Sequence, residues 1–144
     1  MEKDTEELEN DLKTTNINGY LEQNGEELAK YTLAEFLDKL LREKHLKKAE
    51  VIKNSMINEI YAYHIFGGQR KNPSRNKIIA IAFAMGLNTK ETERLLYYAG
   101  CKRLYARDVF DSVIYYALEN HKTLAETESL LAKMGLKSIL EKVD

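Results

Sequence analysis

The sequence predicts an all-α fold, and three observations carry that expectation. Leu, Ala, Lys, Glu and Ile dominate while Gly (7), Pro (1) and Trp (0) are scarce, a balance that favours helix over sheet. Apolar residues recur with helical spacing, first as Leu33, Phe36, Leu37, Leu40 and Leu41. Three stretches open on a capping box, in which the first side chain and a glutamate three residues on satisfy each other's backbone N–H groups: Thr32/Glu35, Asn88/Glu91 and Thr123/Glu126. At 144 residues the chain can bury one proper core, so it reads as one domain with appendages.

Taken in order, residues 1–31 form an acidic N-terminal arm with nine acids against three lysines. Its start suits a short helix, but with few apolar positions (Leu8, Leu12, Ile17, Tyr20, Leu21, Leu28) the arm is expected to be mobile or weakly docked. A helix follows from 32 to about 44. Residues 46–73, LKKAEVIKNSMINEIYAYHIFGGQRKNP, then read as two short helices joined tightly. The first, 47–54, turns Val51 and Ile52 inward and Lys47, Lys48 and Lys53 outward. Residues 55–58 connect it to the second, with Asn58 as N-cap, and Gly67-Gly68 stops the second helix. Along that helix Tyr61, Ala62 and Ile65 share a packing side, which leaves Glu59, Ile60, Tyr63 and His64 on the other. Pro73-Ser74 opens a helix over 75–85 that buries Ile78, Ile79, Ile81, Ala82 and Met85 and closes at Gly86. The next helix carries Leu95, Leu96, Tyr98 and Ala99 to Gly100.

The second half repeats itself at an offset of 35. KETERLLYYAGCK at 90–102 aligns with AETESLLAKMGLK at 125–137, and upstream Ile78/Val113, Ile79/Ile114, Ala82/Ala117 and Phe83/Leu118 align as well. Both helices and both caps agree, which points to a duplicated helical hairpin. Two copies are too few for a solenoid, so the second must lie against the first or against another chain. Residues 102–108 between them either touch a nucleic-acid backbone or anchor Leu104 and Tyr105 in the core.

Residues 32–87 resemble the lambda-repressor-like, or Xre-type, helix-turn-helix family of bacterial and phage regulators. The resemblance rests on the spacing of Val51, Ile57, Ile65 and Gly68 and on the run GQRKNPS at 68–74. It implies a lambda-repressor-like helix-turn-helix bundle, which residues 88–144 extend by a C-terminal helical hairpin on the same core. It further implies a transcriptional regulator of the bacterial cytoplasm or nucleoid that reads double-stranded DNA with the helix at 58–66. Lys48, with Lys47 beside it, falls where the family grips a phosphate, although the family has glutamine at the first position. Glu59, Ile60 and His64 match base-reading positions, and Asn58 and Tyr61 match neighbouring backbone or base contacts. Tyr63 faces out to stack or hydrogen-bond, or packs inward. Arg70, Lys71 and Arg75 follow where the family contacts the sugar-phosphate chain. The chain departs from the family at Ile52, where a small alanine is usual, but Ala62 replaces the usual branched partner and the summed volume is kept. Met56 stands where the family has a turn glycine; a left-handed side chain costs roughly 1 kcal/mol, so a wider turn is expected.

Charge supports a nucleic-acid partner. Between 42 and 77 nine basic residues face three acids, placing positive density on the stretch a phosphate-binding surface would need. An enzyme is not expected: His45, His64 and His121 are scattered, no HExxH, CxxC or glycine-rich phosphate loop occurs, and the glutamate pairs sit in first helical turns where the macrodipole favours them. No cofactor, metal or small-molecule ligand is implied. Single Cys101 reads as an apolar filler in a reducing compartment. The longest apolar run, 78–85, is too short for a bilayer. Tyr97-Tyr98 and Tyr115-Tyr116 on the C-terminal helices are candidates for a homodimer contact. The competing expectation is a protein-protein interaction module that keeps the fold without binding DNA, which Glu59 and Met56 favour.

Overall fold

Short-range signals end every helix of the main unit in the same way. A computed structural model describes residues 5–14 and 31–140, and among them are eight helices and no strand: α1 (Thr5–Thr14), α2 (Leu33–Glu43), α3 (Lys48–Ser55), α4 (Glu59–Gly67), α5 (Arg75–Ala84), α6 (Thr89–Tyr98), α7 (Val109–Glu119) and α8 (Leu124–Lys133). Each of α2 to α8 is followed by one residue of positive φ: His45, Met56, Gly68, Gly86, Gly100, His121 and Gly135. The left-handed residue turns the next N–H groups back onto the last carbonyls, as in Leu46 N–H to Leu41 O and Leu87 N–H to Ala82 O. None of these helices exceeds 11 residues.

The chain divides into Met1–Lys30 and Tyr31–Asp144. In the first unit α1 is an acidic helix, and residues 15–30, on which most of the expected arm rests, lie outside the described residues.

In the second unit the helix starts follow the capping pattern read from the sequence. Glu35 N–H donates to Thr32 Oγ1 (3.1 Å) and Thr32 N–H to Glu35 Oε1 (2.8 Å); Asn88/Glu91 and Thr123/Glu126 form the same reciprocal pair. Tyr31, just before the Thr32 cap, packs its ring on Phe36 (6.1 Å) and Tyr98 (5.9 Å), a hydrophobic staple that fixes where the chain enters α2. Leu33, Phe36, Leu37, Leu40 and Leu41 are all buried, as their spacing requires.

α5 is the centre. Ile78, Ile79, Ala80, Ile81 and Ala82 are fully buried and Phe83 nearly so, which makes this helix apolar all round and forces it inside. It packs against α3, α6 and α8; α2 lies on α4 and α6, and α7 on α6 and α8. Helical spacing alone predicts burial of Ile78, Ile79, Ile81, Ala82 and Met85. Ala80 and Phe83 are buried too, on a helix that three others pack against.

The 35-residue correspondence extends to bond geometry. α6 and α8 coincide at both ends under the offset, Gly100 and Gly135 share the left-handed turn (φ 73° and 68°), and buried Thr92 and Thr127 each donate to the carbonyl of their N-cap residue (2.7 and 2.8 Å). Among the described residues no helix is long and apolar enough to cross a membrane.

Candidate nucleic-acid interface

α3 and α4 are joined by three residues. Met56 itself adopts the left-handed conformation (φ 60°, ψ 15°), so the strain expected of a side chain in such a turn is carried at that residue. Ser55 braces the turn: its buried hydroxyl donates to Ile52 O (2.7 Å) and accepts from Ile57 N–H (3.3 Å). Ile57 is buried beneath it, and Asn58 Oδ1 caps α4 by accepting from Tyr61 N–H (3.1 Å). Ile52 and Ala62, the exchanged large and small pair, are both core residues.

α4 rests on α2 and α3 through buried Ala62, Ile65 and Phe66. Its other side faces solvent: Ile60 is 69% exposed, Tyr63 40%, and Glu59 and His64 are exposed as well. Lys47 and Lys48 begin α3 and are exposed, as are Lys53 and Lys71; none of these four forms an ion pair among the described residues.

The chain after α4 folds back on it. Arg70 N–H donates to His64 O (3.0 Å), and the Arg70 guanidinium lies 4.3 Å from the Tyr61 ring centre with Lys77 Nζ at 4.8 Å. Each such contact is worth about 0.5–1 kcal/mol at an exposed site. Two cations are thus held at one ring of α4. Tyr61 is therefore half-buried and serves both as packing and as an anchor for the cations. Lys77 lies outside the residues that the family resemblance places at the interface. Its place in the basic run was the only signal, and the shared ring appears only in three dimensions.

Arg75 departs from expectation. Its guanidinium makes a two-pronged pair with Asp111 (2.8 and 2.7 Å) and donates to Lys102 O (3.0 Å) and Arg103 O (3.1 Å). Four internal bonds leave it unfit for a phosphate, so it belongs to the structure and not to the surface set. Burial alone would raise the Asp111 carboxyl, but Arg75 and the Tyr105 N–H (2.9 Å) together hold it below its ordinary value. In the same connection Leu104 is buried, whereas Tyr105 is exposed and only its backbone is engaged. Burial pushes the Cys101 thiol up, against the opposing pull of Arg75; Cys101 sits half-buried with Sγ 3.7 Å from Pro73 O.

Glu59, Ile60, Tyr63 and His64 thus share one exposed side, Asn58 caps the same helix, Lys47, Lys48, Arg70 and Lys71 are exposed on the elements flanking it, and Arg75 is withdrawn. Among the described residues no group of three His, Cys, Asp or Glu is placed to hold a metal ion. Comparison of the chain with protein-family models, curated proteins and solved structures returned no match.

Proposed function

We propose that the protein is a sequence-specific double-stranded DNA-binding regulator of transcription, with α3 and α4 as a helix-turn-helix of the lambda-repressor-like kind. α4 enters the major groove with Glu59, Ile60, Tyr63 and His64 toward base edges, while Lys47, Lys48, Arg70 and Lys71 lie on phosphates. The observation that carries this reading is the uncovered side of α4 flanked by cations without acidic partners. Glu59, exposed at the start of α4, suits the exocyclic amine of cytosine. The protein acts in the cytoplasm and binds as a homodimer through the C-terminal helices, where Tyr97, Tyr115 and Tyr116 are exposed. Tyr98 is not part of that contact, because its ring stacks on Phe36 at 4.5 Å.

A second reading, a protein-interaction module on this fold, is favoured by exposed apolar Met56 and Ile60 and by the negative charge of Glu59. A gel-shift titration against random duplex at several salt concentrations separates the two. DNA binding at low salt should weaken steeply with salt, and Lys48→Ala and Arg70→Ala should each lower affinity about three- to tenfold and reduce the salt slope by about one. No binding at low salt, or binding indifferent to both changes, would give the interaction module.

A further inference from the structure

The connection between the two hairpins, KRLYARD at 102–108, is held by its backbone. Arg75 donates to Lys102 O (3.0 Å) and Arg103 O (3.1 Å), Tyr105 N–H donates to Asp111 Oδ2 (2.9 Å), and Ser112 Oγ donates to Ala106 O (2.7 Å). Within the segment only the Leu104 side chain is buried. Tyr105 is 60% exposed, and exposed Lys102 and Arg107 form no ion pair among the described residues. The other two charges are engaged: Arg103 pairs with Glu93 (3.3 Å), and Asp108 caps α7 by accepting from Asp111 N–H (2.9 Å). An aromatic ring and two unpaired cations therefore stand on a fixed backbone, which loses little conformational freedom on meeting a ligand.

The start of this connection lies against the basic stretch that follows α4. Asn72 Nδ2 donates to Ala99 O (3.4 Å), Cys101 Sγ is 3.7 Å from Pro73 O, and Arg75 takes the next two carbonyls. Residues 99–103 thus touch 72–75, a segment flanked in the chain by Lys71 and Lys77, and Lys77 shares the Tyr61 ring of α4 with Arg70. A duplex carries one negative charge for about every 1.7 Å of its axis, so a backbone drawn to Arg70 and Lys71 offers further phosphates to a neighbouring pair of cations. A tyrosine hydroxyl donates to the same phosphate oxygens.

We infer that the 102–108 connection is a second DNA contact, in which Lys102 and Arg107 neutralise phosphates of the duplex that α4 reads and the Tyr105 hydroxyl donates to a phosphate oxygen. This contact rests on the DNA reading but lies outside residues 32–87, from which that reading was drawn. Being made to the backbone, it adds affinity for every sequence alike and fixes how the duplex lies on α4.

The test titrates full-length protein with a random-sequence duplex by gel shift at several salt concentrations. The double variant Lys102→Gln/Arg107→Gln should lower the log-log salt slope by about two, since each lost phosphate contact removes about 0.9 from it. Tyr105→Phe should weaken binding about two- to tenfold, as for one lost hydrogen bond, and leave the slope unchanged because a hydroxyl releases no counterion. Lys133→Gln/Lys137→Gln, which removes the same charge from exposed positions around the end of α8, should leave both affinity and slope in place. Thermal melts of all three variants should match the parent. An unchanged slope in the Lys102/Arg107 variant, an equal loss in the Lys133/Lys137 variant, or full affinity in Tyr105→Phe overturns this contact and leaves the DNA reading standing. A parent protein that fails to bind at low salt overturns the DNA reading and this contact with it.

Discussion

The hairpins α5–α6 and α7–α8 follow one local plan and occupy different surroundings. The limits and capping boxes of the second helices and the left-handed ends of both helices coincide at 35 residues, and the inward pairs Ile79/Ile114 and Ala82/Ala117 are fully buried in both. The neighbouring pairs diverge: Ala80 and Ile81 are fully buried, while their counterparts Tyr115 and Tyr116 are 44% and 52% exposed. What the two copies share is thus a capped second helix, two left-handed helix ends and one apolar stripe. The other side of the first helix decides whether a hairpin becomes the centre or the flank of the bundle.

The strongest way to break this comparison is to empty the shared inward position in each copy. Ile79→Ala and Ile114→Ala should cost about 2–5 kcal/mol each, with Ile79→Ala nearer the upper end because α5 is enclosed by α3, α6 and α8. Urea denaturation measures both. An Ile114→Ala loss equal to or larger than that of Ile79→Ala would mean that α7 is no more peripheral than α5.

The brace between the two copies comes next. Arg75 opens the first hairpin, and the position 35 residues on is Phe110, so the bond to Asp111 has no counterpart. Arg75→Ala leaves a buried carboxylate without its cation and should cost about 2–4 kcal/mol, less than a wholly buried pair because Arg75 keeps 24% side-chain exposure. The folded Asp111 carboxyl titrates below its unfolded value. Its contribution is thus present above the unfolded value, about 3.9, and is lost as pH falls through the folded one. Thermal melts between pH 6 and pH 2 should show the parent protein losing stability below about pH 4 more steeply than Asp111→Asn.

Much of the fold was legible in the sequence because its signals are local. Three capping boxes, the stripe of α2, the Asn58 cap and the 35-residue repeat all depend on residues a few positions apart or on direct comparison of two segments. Arg75 was misread because a guanidinium in a basic run looks the same whether its partner is a phosphate or a carboxylate 36 residues away. Ala80 and Phe83 were missed because periodicity marks one side of a helix and cannot say that a second layer covers the other. For the candidate site, the outward set of α4 was readable from spacing. The Tyr61 anchor for Arg70 and Lys77 was not, since the ring had been assigned only to packing or to DNA.

The smallest effects sharpen the comparison at the paired helix ends. Gly86 and His121 hold matching left-handed positions, and a Cβ at Gly86 would meet no atom within 4 Å, so only backbone strain is at issue. Gly86→Ala should destabilise by about 1 kcal/mol and His121→Gly stabilise by about 0.5–1 kcal/mol. Melting temperatures of the two variants, expected to move by a few degrees in opposite directions, check the sign.

Closing Arg75 onto Asp111 also alters the electrostatic outline beside α4. Were the polypeptide to stop after α6, the guanidinium would return to water and add a charge to the run that already holds Lys71 and Lys77. The C-terminal hairpin therefore acts as a trimmer: while bracing the bundle, it neutralises one cation there and keeps the positive field closer to the side of α4 that faces outward.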